Sequence, residues 1–289
     1  MRKPSCLFFV PIVLLCCGIT NAQQSTPAQA RIFNTVKQKL GAGKQVIGGT
    51  VVIPDPDTYC AMATSGFDFL WIEMQHSPMT YQDVAHMIRS CKGAPAMPFI
   101  RVPDATEGDI QKAMDIGAAG IIIPMVEDVA KVQNAIKFSK YPPTGKRSLG
   151  NGQYGALWGS DYRQIANDNV MIVAMIESPA GVKIADDIAA IPGVDVVFVA
   201  STDLASFSGY KQGDPQYEAL VKSIEQSVTK AGKKLAGPLA WKSSRQGYSF
   251  FQGPTEASLI KTAVEFDLGG APKSESRKGV APTEGAEKP

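Results

Sequence analysis

The sequence predicts a single α/β domain with the (β/α)8 TIM-barrel fold and a shortened seventh helix. Eight short apolar runs follow one another along the chain, and stretches with helical periodicity separate them. The runs are apolar over nearly their whole length, as parallel strands are when both faces of their sheet are buried. Proline or glycine stands at most of the boundaries, for example Pro54, Gly66 and Gly117. Strands are predicted at residues 46–52, 67–73, 97–102, 119–125, 171–177, 194–200, 234–237 and 248–252.

Helices are predicted between these strands wherever the apolar residues recur with helical spacing. Only residues 240–247 separate the last two strands, which leaves room for about two helical turns at most. The connection at residues 141–169 is long and rich in glycine. A loop of this length is usually functional or mobile, and we expect part of it to cover a subunit contact. Helices are predicted at residues 57–65, 81–91, 107–116, 126–138, 180–190 and 217–231, after a lead-in helix at 32–40.

Both ends of the chain lie outside the predicted barrel, which is expected to span residues 23–271. Residues 1–22 combine a basic start, an apolar core and a small-residue site, the pattern of a secretory signal peptide cleaved after Ala22. A lipid anchor at Cys16 or Cys17 is the less favoured alternative. Residues 272–289 lack apolar periodicity and are expected to form a disordered tail. The sequence therefore predicts a periplasmic or secreted protein that has no membrane attachment after cleavage.

The charge of the chain argues against a nucleic-acid partner. Arg2 and Lys3 leave with the signal peptide, so 27 basic residues balance 27 acidic ones in the remainder. Cys60 and Cys91 are the cysteines that remain, and they fall on two successive predicted helices. Buried thiols are the simpler interpretation of this pair. A disulfide is the alternative, because exported proteins fold in oxidising compartments.

Two acidic residues, Glu177 and Asp203, end two of the apolar runs that are expected to be neighbouring strands. In a (β/α)8 barrel, the chemistry lies at the carboxyl ends of the strands. Taken singly, either residue is better interpreted as part of an ion pair or as a helix cap. Two buried carboxylates together need a cation or a shared proton, and hard oxygen ligands suit a divalent metal ion.

Three further residues lie at strand ends on the same predicted face. Glu73 ends the second strand, and His76 follows it closely enough for a hydrogen bond that would fix the ring tautomer and raise its basicity. Arg101 ends the third strand, where it could pair with a neighbouring strand end or hold a carboxylate or an enolate. Together with a metal ion, these side chains predict an enzyme for a small anionic substrate.

Two kinds of chemistry find no support in the sequence. None of the well-defined strands ends in a lysine, which a Schiff-base aldolase would need at the mouth of the barrel. The chain also lacks a dinucleotide fingerprint and a phosphate loop. These absences favour metal-assisted enolisation.

Several motifs in one order resemble the HpcH/HpaI aldolase family, between about residues 48 and 264. The motifs are GFDFLWIEMQHSP, RVP, AMDIGAAGIIIPMV, YPPTGKRSLG, MIES and PGVDVVFVASTDLA. The resemblance implies a (β/α)8 barrel that assembles as dimers, up to hexamers, and that binds Mg, Mn, Co or Zn, with Mg or Mn favoured. It also implies cleavage of a 4-hydroxy-2-oxo acid to pyruvate and an aldehyde, so the expected partners are a small 2-oxo acid and further copies of the chain.

The resemblance also implies roles for individual residues. Metal ligation falls to Glu177 and Asp203, with Gln75 near the water shell of the metal. The substrate is expected to be held by Arg101, by Gln75 and by the backbone amides near Ser201 and Thr202. The base is expected to be His76, acting directly or through a water molecule, and oriented by Glu73. A further catalytic role is expected for Asp115, near a part of the site that two subunits form together.

Two departures from the family pattern keep alternatives open. Gln75 stands where the family has glutamate, and Ala200 stands where it has glycine. The leading prediction is an exported, metal-dependent aldolase. The alternatives are a catalytically impaired homologue that binds a metal and an organic acid, and a decarboxylase of a 2-oxo diacid.

Overall fold

The computed structural model describes residues 30–269, which form a closed barrel of eight parallel strands in chain order. This architecture confirms the predicted (β/α)8 fold. The predicted signal peptide and the predicted tail lie outside the described residues. The strands are β1 (Val46–Val51), β2 (Phe69–Glu73), β3 (Met97–Arg101), β4 (Gly120–Ile123), β5 (Met171–Ile176), β6 (Val196–Val199), β7 (Lys234–Pro238) and β8 (Tyr248–Thr255).

Helices surround the barrel, and all the predicted helices appear. The prediction at 180–190 proves to be two short helices. The helices are α1 (Thr35–Gly41), α2 (Pro56–Thr64), α3 (Tyr81–Ser90), α4 (Glu107–Asp115), α5 (Val129–Ser139), α6 (Tyr154–Trp158), α7 (Tyr162–Asn169), α8 (Pro179–Lys183), α9 (Ala185–Ala190), α10 (Ser201–Ser208), α11 (Pro215–Lys230) and α12 (Glu256–Asp267). Within residues 30–269, no helix is long and apolar enough to cross a membrane.

The seventh helix is reduced to a single 3-10 turn at Leu239–Trp241, as the short spacing between β7 and β8 predicts. Four helices within residues 30–269 were not predicted, namely α6 and α7 between β4 and β5, and also α10 and α12. The helix α10 begins directly after β6, and α12 follows β8. Of the residues of α12, only Glu256 is buried, so the usual apolar stripe of a barrel helix is missing there.

Aromatic rings fill the inside of the barrel. Phe69 and Phe99 lie on neighbouring strands, and the centres of their rings are 5.1 Å apart. The glycines opposite them make room, because a Cβ atom on Gly48 or on Gly120 would approach these rings to 2.2 Å. The barrel is therefore packed solid, and a ligand can bind only at one of its ends.

The long connection between β4 and β5 contains two helices where the sequence indicated a loop, and its part in a subunit contact remains a prediction. Its helices α6 and α7 pack at the amino-terminal end of the barrel. Three tyrosines enclose the guanidinium of Arg147, at 4.7 to 5.5 Å from the centres of their rings. Arg147 is fully buried there, and its partner is Asp115 at 2.9 Å. The tyrosines of this floor cluster are Tyr141, Tyr154 and Tyr162.

Cys60 and Cys91 form a disulfide, with their Cα atoms 5.3 Å apart. Cys60 lies in α2, and Cys91 directly follows α3. The alternative interpretation of the pair is therefore the one that the structure supports, and two buried thiols were the wrong expectation.

Candidate active site

The predicted charged side chains gather at the carboxyl ends of two pairs of neighbouring strands, β2 with β3 and β5 with β6. Glu73 ends β2 and Arg101 ends β3, and the strand register pairs these two residues directly. Glu177 immediately follows β5, and Asp203 lies in the first turn of α10, after β6. Glu73, Arg101 and Glu177 are all buried. The barrel thus concentrates charge at this end, where a ligand can reach it.

Glu73 holds the turn after β2 in place. One of its carboxylate oxygens accepts hydrogen bonds from the backbone N–H groups of Gln75 and His76, at 2.8 and 3.1 Å. The other oxygen accepts the indole N–H of Trp71 at 3.2 Å and lies 2.6 Å from Arg101 Nε. No hydrogen bond joins Glu73 to the ring of His76 among the described residues. The expectation that Glu73 orients this ring is therefore wrong for this conformation, because its oxygens are already occupied.

Arg101 lies between Glu73 and the rest of the site. Its Nε does not point along the contact with Glu73, so opposite charge rather than an aligned hydrogen bond holds the pair. The guanidinium lies 5.8 Å from the ring of Trp71, and its Nη1 is 3.7 Å from the sulfur of Met175. The ring of Trp71 and the sulfur of Met175 hold the guanidinium in place without accepting hydrogen bonds from all its N–H groups. Some of these N–H groups therefore remain available to a ligand.

Glu177 and Asp203 lie close together, as the sequence predicts. Burial raises the pKa of the Glu177 carboxyl, while the N–H of Met125 and the charge of Arg101 lower it. The charge of the neighbouring Asp203 raises the pKa further. A buried carboxylate beside another one is under-compensated when both are ionised.

This pair of carboxylates fits a divalent metal ion. A cation between them would relieve the repulsion that raises the pKa of Glu177. No cluster of three or more Asp, Glu, His or Cys side chains that could hold a metal occurs within residues 30–269. Proteins commonly bind Mg²⁺ through one or two carboxylates and leave the other coordination positions of the ion to water and substrate.

A cleft of about 370 Å³, measured with its open mouth, adjoins Arg101 and the start of α10. The N–H groups of Ser201 and Thr202 make no hydrogen bond to another described residue, and the first turn of a helix attracts anions. Ala200 lines the cleft with φ −82°, a value that any residue adopts, so the alanine here needs no glycine-like backbone. The lining residues are Arg101, Met175, Phe198, Ala200, Ser201, Thr202, Asp203, Pro238 and Gln252.

Gln75 and His76 lie in the turn after β2, at the rim. The imidazole of His76 is exposed, which leaves it accessible to a substrate. The side chain of Gln75 is partly buried, and its Oε1 has no hydrogen-bond donor among the described residues. The carbonyl oxygen of the Gln75 side chain is therefore not fixed by a hydrogen bond to another described residue.

Asp115 lies at the opposite end of the barrel from the other predicted site residues. It ends α4 at the amino-terminal end of the barrel, where it accepts hydrogen bonds from Gln111 at 2.8 Å and from Arg147 at 2.9 Å. Within one chain it cannot join the carboxylates at the opposite end. The expectation that it contributes to a site shared by two subunits remains a prediction.

Sequence reasoning missed several residues that support the site. Three of these residues are Trp71, Met175 and Phe198. Each lies two positions before a residue of the site, namely Glu73, Glu177 and Ala200. Alternate residues of a strand face the same side, so these side chains also point toward the barrel interior. This periodicity was a usable signal. Met125 gave no such signal, although its N–H donates to Glu177 at 3.1 Å.

The fold and the end at which the charged side chains gather place the chain among the barrel enzymes that work at the carboxyl ends of their strands. The HpcH/HpaI aldolase/citrate lyase family matches residues 53–239. The chain is 31% identical over 218 residues to the 2-keto-3-deoxy-L-rhamnonate aldolases of Salmonella gallinarum and Escherichia coli K12, which covers 73% of this chain and 80% of theirs. The chain therefore belongs to the HpcH/HpaI family of metal-dependent aldolases and lyases.

Solved structures agree with this assignment. Citrate synthase SbnG is 32% identical, with a TM-score of 0.70 over 81% of this chain and 95% of its own. An HpcH/HpaI family protein from Burkholderia cenocepacia is 27% identical, with a TM-score of 0.74 over 82% and 98%. Macrophomate synthase, at 24% identity and a TM-score of 0.71 over 83% and 89%, shows the shared fold alone.

Proposed function

We propose that the protein is an exported, metal-dependent aldolase that cleaves a 4-hydroxy-2-oxo acid to pyruvate and an aldehyde. The proposal rests on one observation, the neighbouring carboxylates Glu177 and Asp203 close to Arg101 at the carboxyl ends of the strands. The relatives' name supports the substrate class, because a 2-keto-3-deoxy sugar acid has a carbonyl at C2 and keeps its hydroxyl at C4.

Glu177 and Asp203 are the residues that would hold the divalent ion, with Mg or Mn favoured. When bound, the ion supplies Lewis-acid polarisation of the 2-oxo group. The free N–H groups of Ser201 and Thr202 would bind the substrate carboxylate at the start of α10. The guanidinium of Arg101 would then lie beside the 2-oxo oxygen.

His76 is the proposed base, because its exposed ring lies at the rim where the aldehyde half of the substrate would emerge. It would take the proton of the 4-hydroxyl group as the C3–C4 bond breaks. The bonding electrons move into the three-carbon fragment and form an enolate, whose charge Arg101 would stabilise. Protonation at C3 then gives pyruvate.

Two features support export. The pattern of residues 1–22 is that of a signal peptide. The disulfide between Cys60 and Cys91 is a bond that persists in oxidising compartments and is rare in reducing ones. N-terminal sequencing of the protein secreted from its host tests the proposal, and an intact Met1 in the cytosol would contradict it.

We also propose that the protein acts as a homo-oligomer. Large apolar side chains remain exposed on and after α12, including Ile260 at 59% and Phe266 at 78%. Soluble monomers rarely leave such a patch uncovered. Light scattering of the purified protein tests this point, and a monomer at working concentration would contradict it.

The activity is tested by a retro-aldol assay of residues 23–289 with a panel of 4-hydroxy-2-oxo acids. We expect pyruvate release with Mg²⁺ or Mn²⁺ and none after chelation. Glu177→Gln should lower turnover roughly a thousandfold, the scale of several kcal/mol of lost Lewis-acid stabilisation. Glu107→Gln, at an exposed position on α4, is the matched control. Full activity of Glu177→Gln would contradict the proposal.

A further inference from the structure

Met125 has an unusual backbone conformation beside the proposed metal site. It is the one non-glycine residue within 30–269 that has a positive φ, at 49°. Apart from glycine, which has no Cβ atom, and from asparagine and aspartate, residues rarely enter this left-handed region. The reason is that the Cβ atom crowds the following carbonyl. An outlier of this kind is a reason to look for a function.

The conformation sets the direction of one peptide group. Rotation of the peptide between residues 124 and 125 changes φ of Met125, so its positive φ and the direction of its N–H are linked. In this conformation the N–H donates to Glu177 Oε1 at 3.1 Å. A negative φ at Met125 would turn the peptide over and take this N–H away from the carboxylate.

The surrounding contacts hold the loop between β4 and α5 in this state. The N–H of the next residue, Val126, donates to the carbonyl of Met175 on β5 at 3.2 Å. Lys131 donates to the carbonyl of Met125 at 3.4 Å. The hydroxyl of Ser178, next to Glu177, donates to Glu127 on the same loop. The loop is therefore tied to the residues on both sides of Glu177.

We propose that Met125 is a positioning residue for the metal site. Its left-handed backbone aims an N–H at one oxygen of Glu177, which fixes the rotamer of the carboxylate and leaves the other oxygen for the ion that Asp203 shares. The side chain of Met125 has no part in this role. The inference rests on the proposed function, since it requires Glu177 to be a ligand.

Two substitutions of Met125, to leucine and to isoleucine, distinguish the role of its backbone conformation from the role of its side chain. Leucine and isoleucine contain the same atoms, but a β-branched residue tolerates positive φ worst. Met125→Ile should therefore weaken Mn²⁺ binding to the metal-free protein about tenfold, which corresponds to about 1.4 kcal/mol. Met125→Leu and Met125→Gly should bind Mn²⁺ within about twofold of the wild type, because neither adds a branch at Cβ. Titration calorimetry gives these dissociation constants.

A second measurement distinguishes positioning from general damage to the fold. The turnover of Met125→Ile should recover at saturating Mn²⁺, whereas a structural defect would not respond to metal concentration. Equal Mn²⁺ affinities of the Ile and Leu variants would overturn the inference. So would weaker binding by Met125→Gly than by the wild type, a result that can be obtained even if Met125→Ile fails to fold. Unchanged Mn²⁺ affinity in Glu177→Gln would instead refute the proposed metal site itself.

Discussion

The two ends of the barrel each contain a buried arginine paired with a carboxylate, yet the surroundings of the two pairs differ. At the carboxyl end, Arg101 pairs with Glu73 and lies against an open cleft. At the amino end, Arg147 pairs with Asp115 and is enclosed by the three tyrosines of the floor cluster. The same kind of ion pair thus has different surroundings at the two ends. Arg101 keeps donors that a ligand can reach, whereas within one chain the enclosed Arg147 stabilises the fold.

The largest expected effect is on stability, at the floor. Arg147→Lys keeps the charge but loses the planar contact with the tyrosines and the hydrogen bond to Tyr162. We expect the free energy of unfolding to fall by about 3 kcal/mol, as when a buried pair is disrupted. Urea denaturation measures this change, with Arg89→Lys as a control at an exposed position. Unchanged stability with lost turnover would show instead that the floor serves an active site.

The corresponding change at the mouth should affect activity. Arg101→Lys keeps a positive charge beside Glu73, whose other hydrogen bonds come from Trp71 and the turn after β2. We expect kcat/KM for pyruvate release to fall about a hundredfold, because an ammonium cannot replace the fork beside a developing enolate. The midpoint of urea unfolding should change little. A large loss of stability with unchanged kcat/KM would erase the distinction between the two ends.

The floor should also show a dependence on pH through Lys140. Burial lowers the pKa of this lysine to about 8, although its ammonium donates to the carbonyls of Asn167 and Val170. Between pH 8 and its ordinary value of 10.5, the unfolded chain binds a proton that the folded protein lacks, so stability rises with pH. The gain between pH 7.5 and pH 9 should be on the order of 1 kcal/mol. This pH range lies below the ordinary pKa of the buried tyrosines, whose titration would oppose the gain. Urea unfolding at pH 7.5 and at pH 9 measures it, and the same slope in Lys140→Met would contradict this origin.

The smallest effect is expected at the mouth, from Ala200→Gly. The φ of −82° shows that alanine fits this backbone without strain. We expect kcat/KM to change by less than about threefold, which is under 1 kcal/mol. A tenfold or larger gain in the retro-aldol assay would favour the catalytically impaired homologue.

Most of the fold could be predicted because the barrel strands are buried on both faces. The apolar runs therefore coincide with β1 to β8 to within a few residues. The helices that were missed lack the pattern on which such predictions rest. The helix α12 exposes Ile260 and Phe266 and buries no stripe, so its periodicity indicated nothing. Glycines interrupt α6 and its flanks, and this segment was therefore predicted to be a loop.

The site was predictable where it depends on strand ends and unpredictable where it depends on the backbone. Glu177, Asp203 and Arg101 follow from their positions after apolar runs. The partner of Glu73 depends on the register of β2 with β3, which a single run does not specify. The left-handed conformation of Met125 has no counterpart in the sequence, because methionine has no preference for it.

The disulfide has a consequence for what proteolysis does to the chain. Cys60 and Cys91 are 31 positions apart, and the segment between them contains all of β2 and the exposed turn with His76. A protease that cut this turn would open a covalent ring rather than divide the chain. The two fragments would stay linked through the sulfur atoms, with Glu73 and Arg101 still on paired strands.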